Sequence, residues 1–297
     1  MSFSIARSID DAVAALADGA RPVAGGSDLV VSARHGAQPL PEKLVAIDRI
    51  RELQTLAMGD TGCRIGAGVT HAQLMTDPVI VETYPALADA AALVGSPSTR
   101  NVGTLGGNIM NGSPAMDTGA PLLVLDAVVE LQSHAGARDL PIGELWSGPG
   151  TTTATPAELC TAIKLSTPPA RSSSAYVRLE YRRAMEIAVA GAAAAVSLNA
   201  DGTIASLNIA MAAVAPTIMS VVLDVTGRPP DDVTLALIAE SASAQSAPIS
   251  DLRASDTYRR HTIGVMAKRA VDAAVRRANG ELIAVPVNRS LGIGASS

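Results

Sequence analysis

Val23-Ala24-Gly25-Gly26-Ser27-Asp28-Leu29 and Asn101-Val102-Gly103-Thr104-Leu105-Gly106-Gly107-Asn108-Ile109 are the two segments on which this sequence turns. Each sets a Gly-Gly pair beside a hydroxyl residue, after an apolar stretch. The second continues as Asn111-Gly112-Ser113-Pro114-Ala115-Met116-Asp117. Paired glycines let the backbone take positive φ and come close to a ligand. Successive N–H groups in such turns converge into an anion-binding nest, and Ser27 and Thr104 add hydroxyls. One nest suits one phosphate; two suit a diphosphate, which a dinucleotide carries. Arg21 and Arg100 flank the segments, but no Lys or Arg lies between the glycines. Binding then rests on oriented backbone dipoles, which fits a tightly held cofactor. A GxGxxG after the first strand and a GxxxxGK(S/T) are both absent, which excludes a Rossmann site and a P-loop. Alone, each glycine pair reads as a tight turn, Asp117 as a loop cap and Thr70 as a helix cap. Their combination points to a dinucleotide site.

Around these segments the pattern is mixed. Residues 3–7 read as a strand, and Ser8-Ile9-Asp10-Asp11 opens a helix as a capping box. Val13 and Leu16 give that helix an apolar face and Gly19 ends it. Pro22-Val23-Ala24 is extended and 44–47 is a further strand, so the first fifty residues form a β-α-β unit. Residues 63–68 are a strand; Thr70-His71-Ala72-Gln73 is a second capping box, with His71 as a surface residue. Pro85 starts a helix that Gly95 stops. From Gly95 to Gly119 the spacing predicts a 25-residue loop, a length that is usually functional. A helix over 120–127 and a hairpin over 128–142 follow. Residues 166–174 form a Pro/Ser-rich linker and the expected domain boundary. Beyond it come three antiparallel strands, at 175–181, 187–198 and 203–213, with Asp201-Gly202 as a hairpin turn. Helices are expected at 217–225, 232–243 and 256–278; Ile263, Met266, Ala270, Val271 and Ala274 form an apolar stripe on the last.

Composition removes other classes. The 297 residues are 48% hydrophobic, which is unlike a disordered chain. A net charge of −5 lacks the Lys/Arg excess of a polyanion binder, and six aromatic residues are too few for base stacking. Two cysteines, Cys63 and Cys160, cannot build a four-thiolate cluster. The histidines His35, His71, His134 and His261 show no metal-ligand spacing. No targeting segment is visible, and the apolar stretches at 187–198 and 209–223 fall short of the roughly 20 residues that span a bilayer. A soluble, cytoplasmic protein is expected.

Ala24-Gly25-Gly26-Ser27-Asp28-Leu29 resembles the AGGTDL segment, and Thr104-Leu105-Gly106-Gly107-Asn108 the T(I/L)GGN segment, of the FAD-binding medium subunit of molybdenum hydroxylases, the xanthine dehydrogenase and carbon monoxide dehydrogenase family. Asn111 to Asp117 matches the family's N-x-S-P-x-x-D, and Ala120 to Ala127 the helix after it. Arg182-Arg183-Ala184-Met185, Val214-Ala215-Pro216-Thr217 and Ser255 to His261 extend the resemblance over nearly the whole chain. It implies an α+β fold. A two-subdomain α/β FAD-binding domain of the PCMH (vanillyl-alcohol-oxidase-like) type would occupy 1–170, divided at about 55/56. A C-terminal domain at 171–290 would hold a three-stranded antiparallel sheet with a helical bundle, and 291–297 a tail.

The resemblance also implies roles. Ala24, Gly25, Gly26, Ser27, Asp28 and Leu29, with Thr104, Gly106, Gly107 and Asn108, would hold the diphosphate of FAD. Asp117 would hydrogen-bond the polyol or phosphate region, Gly68 and Thr70 would lie near the adenosine, and Leu165 would pack on the isoalloxazine. Arg182 and Arg183 are either a solvated pair or have an interface or flavin role. Glu180 stands where some relatives carry a Lys near the flavin, and Glu186 where Asp is usual. The implied activity is that of an oxidoreductase subunit without a catalytic acid, base or metal of its own. It would pass electrons from [2Fe-2S] clusters of a small subunit, reduced by a large molybdopterin subunit, through FAD to an external acceptor, in a dimer of heterotrimers. A stand-alone FAD-dependent oxidoreductase of the same fold group, with its own substrate site, is the alternative. The resemblance leaves substrate and acceptor open.

Overall fold

The computed structural model describes residues 2–34, 36, 39–182 and 184–293. His35, Arg183 and residues 294–297 of the expected tail lie outside the described residues. The chain opens with β1 (Ser2–Ile5), α1 (Ile9–Ala17), β2 (Arg21–Val23), α2 (Ser27–Arg34) and β3 (Lys43–Ala46). β3 is central and parallel to both neighbours, in the order β1-β3-β2. The Ser8 capping box forms: its hydroxyl accepts from Asp11 N at 3.1 Å, and Asp11 accepts from Ser8 N at 3.1 Å. Ala12, Val13 and Leu16 pack against Val45 and Ile47. α2, which the spacing does not predict, buries none of its residues. It begins on the first glycine pair.

A five-stranded antiparallel sheet follows, in the order β4-β5-β10-β6-β7. β4 (Leu56–Gly59) and β5 (Gly62–Gly66) lead into six short helices: α3 (His71–Leu74), α4 (Pro78–Thr83), α5 (Pro85–Leu93), α6 (Pro97–Val102), α7 (Leu105–Asn111) and α8 (Gly119–Val124). The hairpin β6 (Val128–Ser133) and β7 (Gly136–Pro141) comes next, then the small ribbon β8 (Trp146–Gly148) with β9 (Thr151–Thr152), and finally the central strand β10 (Leu159–Ser166). The expected 25-residue loop is therefore largely helical. Ser96 caps α6 with Pro97 in its first turn, and Thr104 caps α7. Helices of six and seven residues are too short to show periodicity, so their caps carry the signal.

The C-terminal half holds β11 (Ser172–Leu179), β12 (Ala190–Leu198), β13 (Ile204–Ala212) and β14 (Met219–Ser220), then α9 (Asp232–Gln245), α10 (Asp256–Ala278) and α11 (Val287–Ser290). Three long antiparallel strands match the expected sheet, and β14 adds a two-residue edge. The helix expected at 217–225 is absent. Met219 pairs with Met211, Val221 N donates to Ile209 O at 2.9 Å, and the Gln245 amide binds both Val222 N and Val222 O. The sheet edge and one side chain thus take the backbone groups a helix would use. In β12, Ala190, Ala192, Ala194 and Val196 face α10, while Ala193 faces the core of the first half. A strand covered on both sides needs small apolar residues throughout, which explains the alanine run.

Asp89 ties the two halves together. Its carboxylate is fully buried and accepts from Arg277 Nη1 and Nη2 at 2.7 and 3.0 Å, Tyr176 N at 3.2 Å and Val287 N at 2.9 Å. Removing one partner of a buried pair strands the other charge, so Asp89→Ala should lower unfolding stability by about 3–5 kcal/mol in urea melts. A second prediction concerns the five-stranded sheet. Burial opposes ionisation of Glu130, yet hydrogen bonds from Arg64, Thr161 and Lys164 hold its pKa down to about 2, against an ordinary 4.5. A carboxyl with a depressed folded pKa stabilises fully above its unfolded value and loses that contribution as pH falls toward the folded one. Unfolding free energy measured from pH 5 to 2 should fall, and Glu130→Gln should flatten part of that slope.

Candidate functional site

The two glycine turns meet. A Cβ on Gly25 would sit 1.8 Å from Val102 O and 3.1 Å from Gly103 N, so the first turn packs its backbone on the chain leading into Thr104. Gly26 takes φ +68°, a left-handed conformation that favours glycine. A Cβ on Gly106 would lie 2.5 Å from the Ala67 Cβ, so this glycine serves close packing of α7 on the chain after β5. Gly107 differs: among protein atoms its Cβ would meet only Thr104 Oγ1, at 3.0 Å. Between the turns lies a cavity of about 550 Å³, lined by Ala24 to Leu29 on one side and by Thr104, Gly106, Gly107 and Asn108 on the other. This volume is in the range of cofactor sites.

The polar groups around the cavity are unevenly committed. At the second turn, Leu105 N and Gly106 N donate to Val69 O and Ala67 O, each at 2.9 Å, and Gly107 N donates to Thr104 Oγ1 at 3.1 Å. The anion nest expected there is thus already closed by the protein. What remains is the Thr104 hydroxyl proton and the Asn108 side-chain NH2. Thr118 donates to Asn108 Oδ1 at 2.6 Å, which leaves Nδ2 as the donor not used by that bond. At the first turn the N–H groups that open α2 have no partner within the helix, and Ser27 brings its hydroxyl. Asp28, in the first turn of α2, keeps an exposed surface, and the protein packed around its carboxyl raises its pKa. His71 is not the surface residue its position suggests. It is 1% exposed, it lines the cavity, and its Nδ1 has no hydrogen-bond partner. Burial, then the Arg100 charge, holds its pKa down to about 4. An unpaired buried polar atom costs about 1–3 kcal/mol, so it asks for a partner. A glycine that a side chain would fill and an imidazole without a partner both suit a bound dinucleotide.

Four residues expected at the site lie behind its wall. Asp117 is buried and accepts from Arg178 Nη1 at 2.7 Å and from the Tyr176 hydroxyl at 2.9 Å. Arg178, fully buried, donates through Nε and Nη2 to Glu180 Oε2 at 2.9 and 2.6 Å. A buried guanidinium requires carboxylates; alternation along β11 places 176 and 178 on one side, and Glu180 follows just past the strand's end. The Glu180 charge is therefore met by Arg178. Leu165 is 2% exposed and belongs to the core under the five-stranded sheet. Gly68 donates its N–H to Leu53 O at 2.7 Å, and its Cβ would press on Leu53, so it serves chain packing. Thr70 closes a capping box with Gln73 and pairs with Thr104 as an antiparallel bridge, which steadies Thr104. Glu186 pairs with Arg182 at 3.2 Å. Leu159 and Cys160 of β10 also line the cavity, with burial first and then Glu130 pushing the Cys160 thiol up to about 12. Nothing in the sequence flags them, because they reach the wall only through strand pairing.

Residues 1–168 match the family described as FAD binding domain in molybdopterin dehydrogenase, and residues 174–274 match that of the CO dehydrogenase flavoprotein C-terminal domain. The chain is 34% identical to a putative xanthine dehydrogenase FAD-binding subunit of Escherichia coli K12, over 95% of this chain and 98% of that protein. It is 33% identical to the carbon monoxide dehydrogenase medium chain of Afipia carboxidovorans, over 92% and 96%. Its fold superimposes on a structure of carbon monoxide dehydrogenase from Hydrogenophaga pseudoflava with a TM-score of 0.89 at 29% identity, covering 93% of this chain and 98% of that one. A cavity closed by two glycine turns, on a chain that follows these relatives nearly end to end, places this protein in the family of FAD-binding flavoprotein subunits of molybdopterin dehydrogenases.

Proposed function

We propose that this chain binds FAD between its two glycine turns and serves as the electron-transfer subunit of a multi-subunit molybdenum hydroxylase. The observation that carries this is the convergence of Ala24–Leu29 and Thr104–Asn108 on one cavity, in a chain of this family. Bound there, FAD supplies the redox chemistry that links [2Fe-2S] clusters of a small partner, fed by a large molybdopterin subunit, to an external acceptor. The protein's own work is binding and orientation. The start of α2, with Ser27, offers N–H and O–H donors to the diphosphate; Thr104 and Asn108 offer theirs from the other side. Gly107 leaves the space that the phosphates need. Asp28 repels a phosphate but accepts from hydroxyls, which suits the sugar chain. Gly68, Thr70, Leu165 and Asp117 act from behind: Thr70 holds Thr104, and Asp117, through Arg178 and Glu180, holds the second half of the chain against the first.

Residues 1–170 serve in this reading as the cofactor domain and 171–290 as the domain that joins the partners. Relatives named as medium chains support partner subunits, and a dimer of heterotrimers is the assembly we propose. No helix among the described residues is long and apolar enough to cross a membrane, which is compatible with a cytoplasmic complex. Substrate and acceptor stay outside the proposal, since the partner that binds substrate is another chain.

Two measurements test this. Purified with its partners, the protein should show a flavin absorption spectrum together with bound iron and molybdenum. Flavin without either metal would favour a stand-alone oxidoreductase, and metals without flavin would remove the role of this chain. The glycines should separate by mutation. Gly107→Val should fold with a slightly lowered Tm, since its Cβ would press on the Thr104 hydroxyl at 3.0 Å, but retain no FAD, because its branches enter the cavity. Gly25→Ala should lose FAD and Tm together, because its Cβ collides with backbone that cannot move aside.

A further inference from the structure

We infer that His71 contacts the bound FAD, donating or accepting a hydrogen bond through an imidazole that the protein leaves unpartnered. The inference rests on the reading of the cavity as the FAD site, and it adds a residue that neither glycine segment contains. Among the described residues, two buried side-chain polar atoms lack a hydrogen-bond partner, His71 Nδ1 and Arg259 Nε. The second is explained by its own side chain. Arg259 spends Nη1 on Val189 O and Ala213 O and Nη2 on Asp251, and it lies in the C-terminal half, off the cavity. His71 has no such compensation, and it is one of the residues that line the cavity.

The fold holds His71 in place by its backbone. Thr70 caps the short helix α3, and His71 N donates to Gly103 O at 3.1 Å, one residue before Thr104. Gly103 makes room for the ring: a Cβ there would lie 3.3 Å from His71 Cδ2. The imidazole is thus packed against the second glycine segment and fixed in depth. Burial and the neighbouring Arg100 keep it neutral. A neutral imidazole carries one donor and one acceptor. FAD is rich in both partners, with carbonyls, ring nitrogens and hydroxyls. Because the ring is uncharged, its contribution is a hydrogen bond, with little dependence on salt, unlike that of a phosphate-binding cation.

The test uses the full chain with the cofactor removed, titrated with FAD and followed by flavin fluorescence, beside the thermal unfolding of the cofactor-free protein. His71→Leu should weaken FAD binding about tenfold, the worth of one hydrogen bond. It should leave the Tm of the cofactor-free chain unchanged or raised, since an unpaired buried polar atom is gone. His71→Gln should regain part of the affinity, and the loss should be similar at low and high salt. On the unsubstituted chain, the 15N resonances of the His71 imidazole should shift when FAD is added; this holds as a test even if His71→Leu fails to fold. The inference is overturned if His71→Leu binds FAD as the unsubstituted chain does. It is also overturned if affinity falls only together with Tm while the 15N resonances ignore FAD. If the unsubstituted chain binds no FAD, the cavity reading itself fails, and that result is distinct from either.

Discussion

The structure depends on one close approach of two backbones. Gly25 lies so near Val102 and Gly103 that no side chain could stand between them. This contact brings a loop of the first β-α-β unit against a helix start of the five-stranded-sheet unit, and the cavity is the space the two leave. Glycine is required for proximity here, and for a left-handed turn at the next residue, Gly26. The four glycines of the two motifs therefore do different things. Gly25 and Gly106 allow elements to touch, Gly26 turns the chain, and Gly107 lines the cavity with only the Thr104 hydroxyl near its missing Cβ. Only the last widens the cavity by its absent side chain; the others build the frame around it.

Two buried carboxylate–guanidinium clusters fix the second half of the chain relative to that frame. Asp89 joins α5 to β11, α10 and α11, and Asp117 joins the loop before α8 to Arg178 on β11 and, through it, to Glu180 just past the strand. Each places charge where water is excluded, so each is costly when incomplete and directional when complete. Asn288 adds to the second by binding both Arg178 N and Arg178 O. The interface between the halves is thus specified by polar geometry, while the alanine-rich strand β12 supplies the apolar area on both its faces. The charge of Glu180 is balanced by Arg178, two residues earlier in the chain.

Local chemistry was readable in the sequence wherever the signal is itself local. Ser8 and Thr70 cap helices because a hydroxyl followed three residues later by an acceptor side chain satisfies two N–H groups in any context. Asp201-Gly202 turns a hairpin for a similar reason. The long helix α10 announced itself by an apolar stripe from Ile263 to Ala274, about three turns. By contrast, α6 and α7 are too short to repeat anything, and 217–225 has the composition of a helix but lies where β13 and Gln245 claim its backbone. The notion of two backbone nests also needed the fold: the N–H groups of Leu105 and Gly106 are spent on the chain after β5, which no local pattern encodes.

From the amino acids alone came the family, the two glycine turns, the capped helices and the three long strands of the second half, because glycine, hydroxyl and alternation signals act over a few residues. Tertiary structure decided which of those residues face the cavity between the turns. Asp117 was drawn to a buried arginine, Leu165 to the core, and Gly68 and Thr70 to packing and capping, while His71 was brought to the wall. Burial and strand pairing join residues far apart in the chain, and partners of that kind leave no mark on either stretch of sequence.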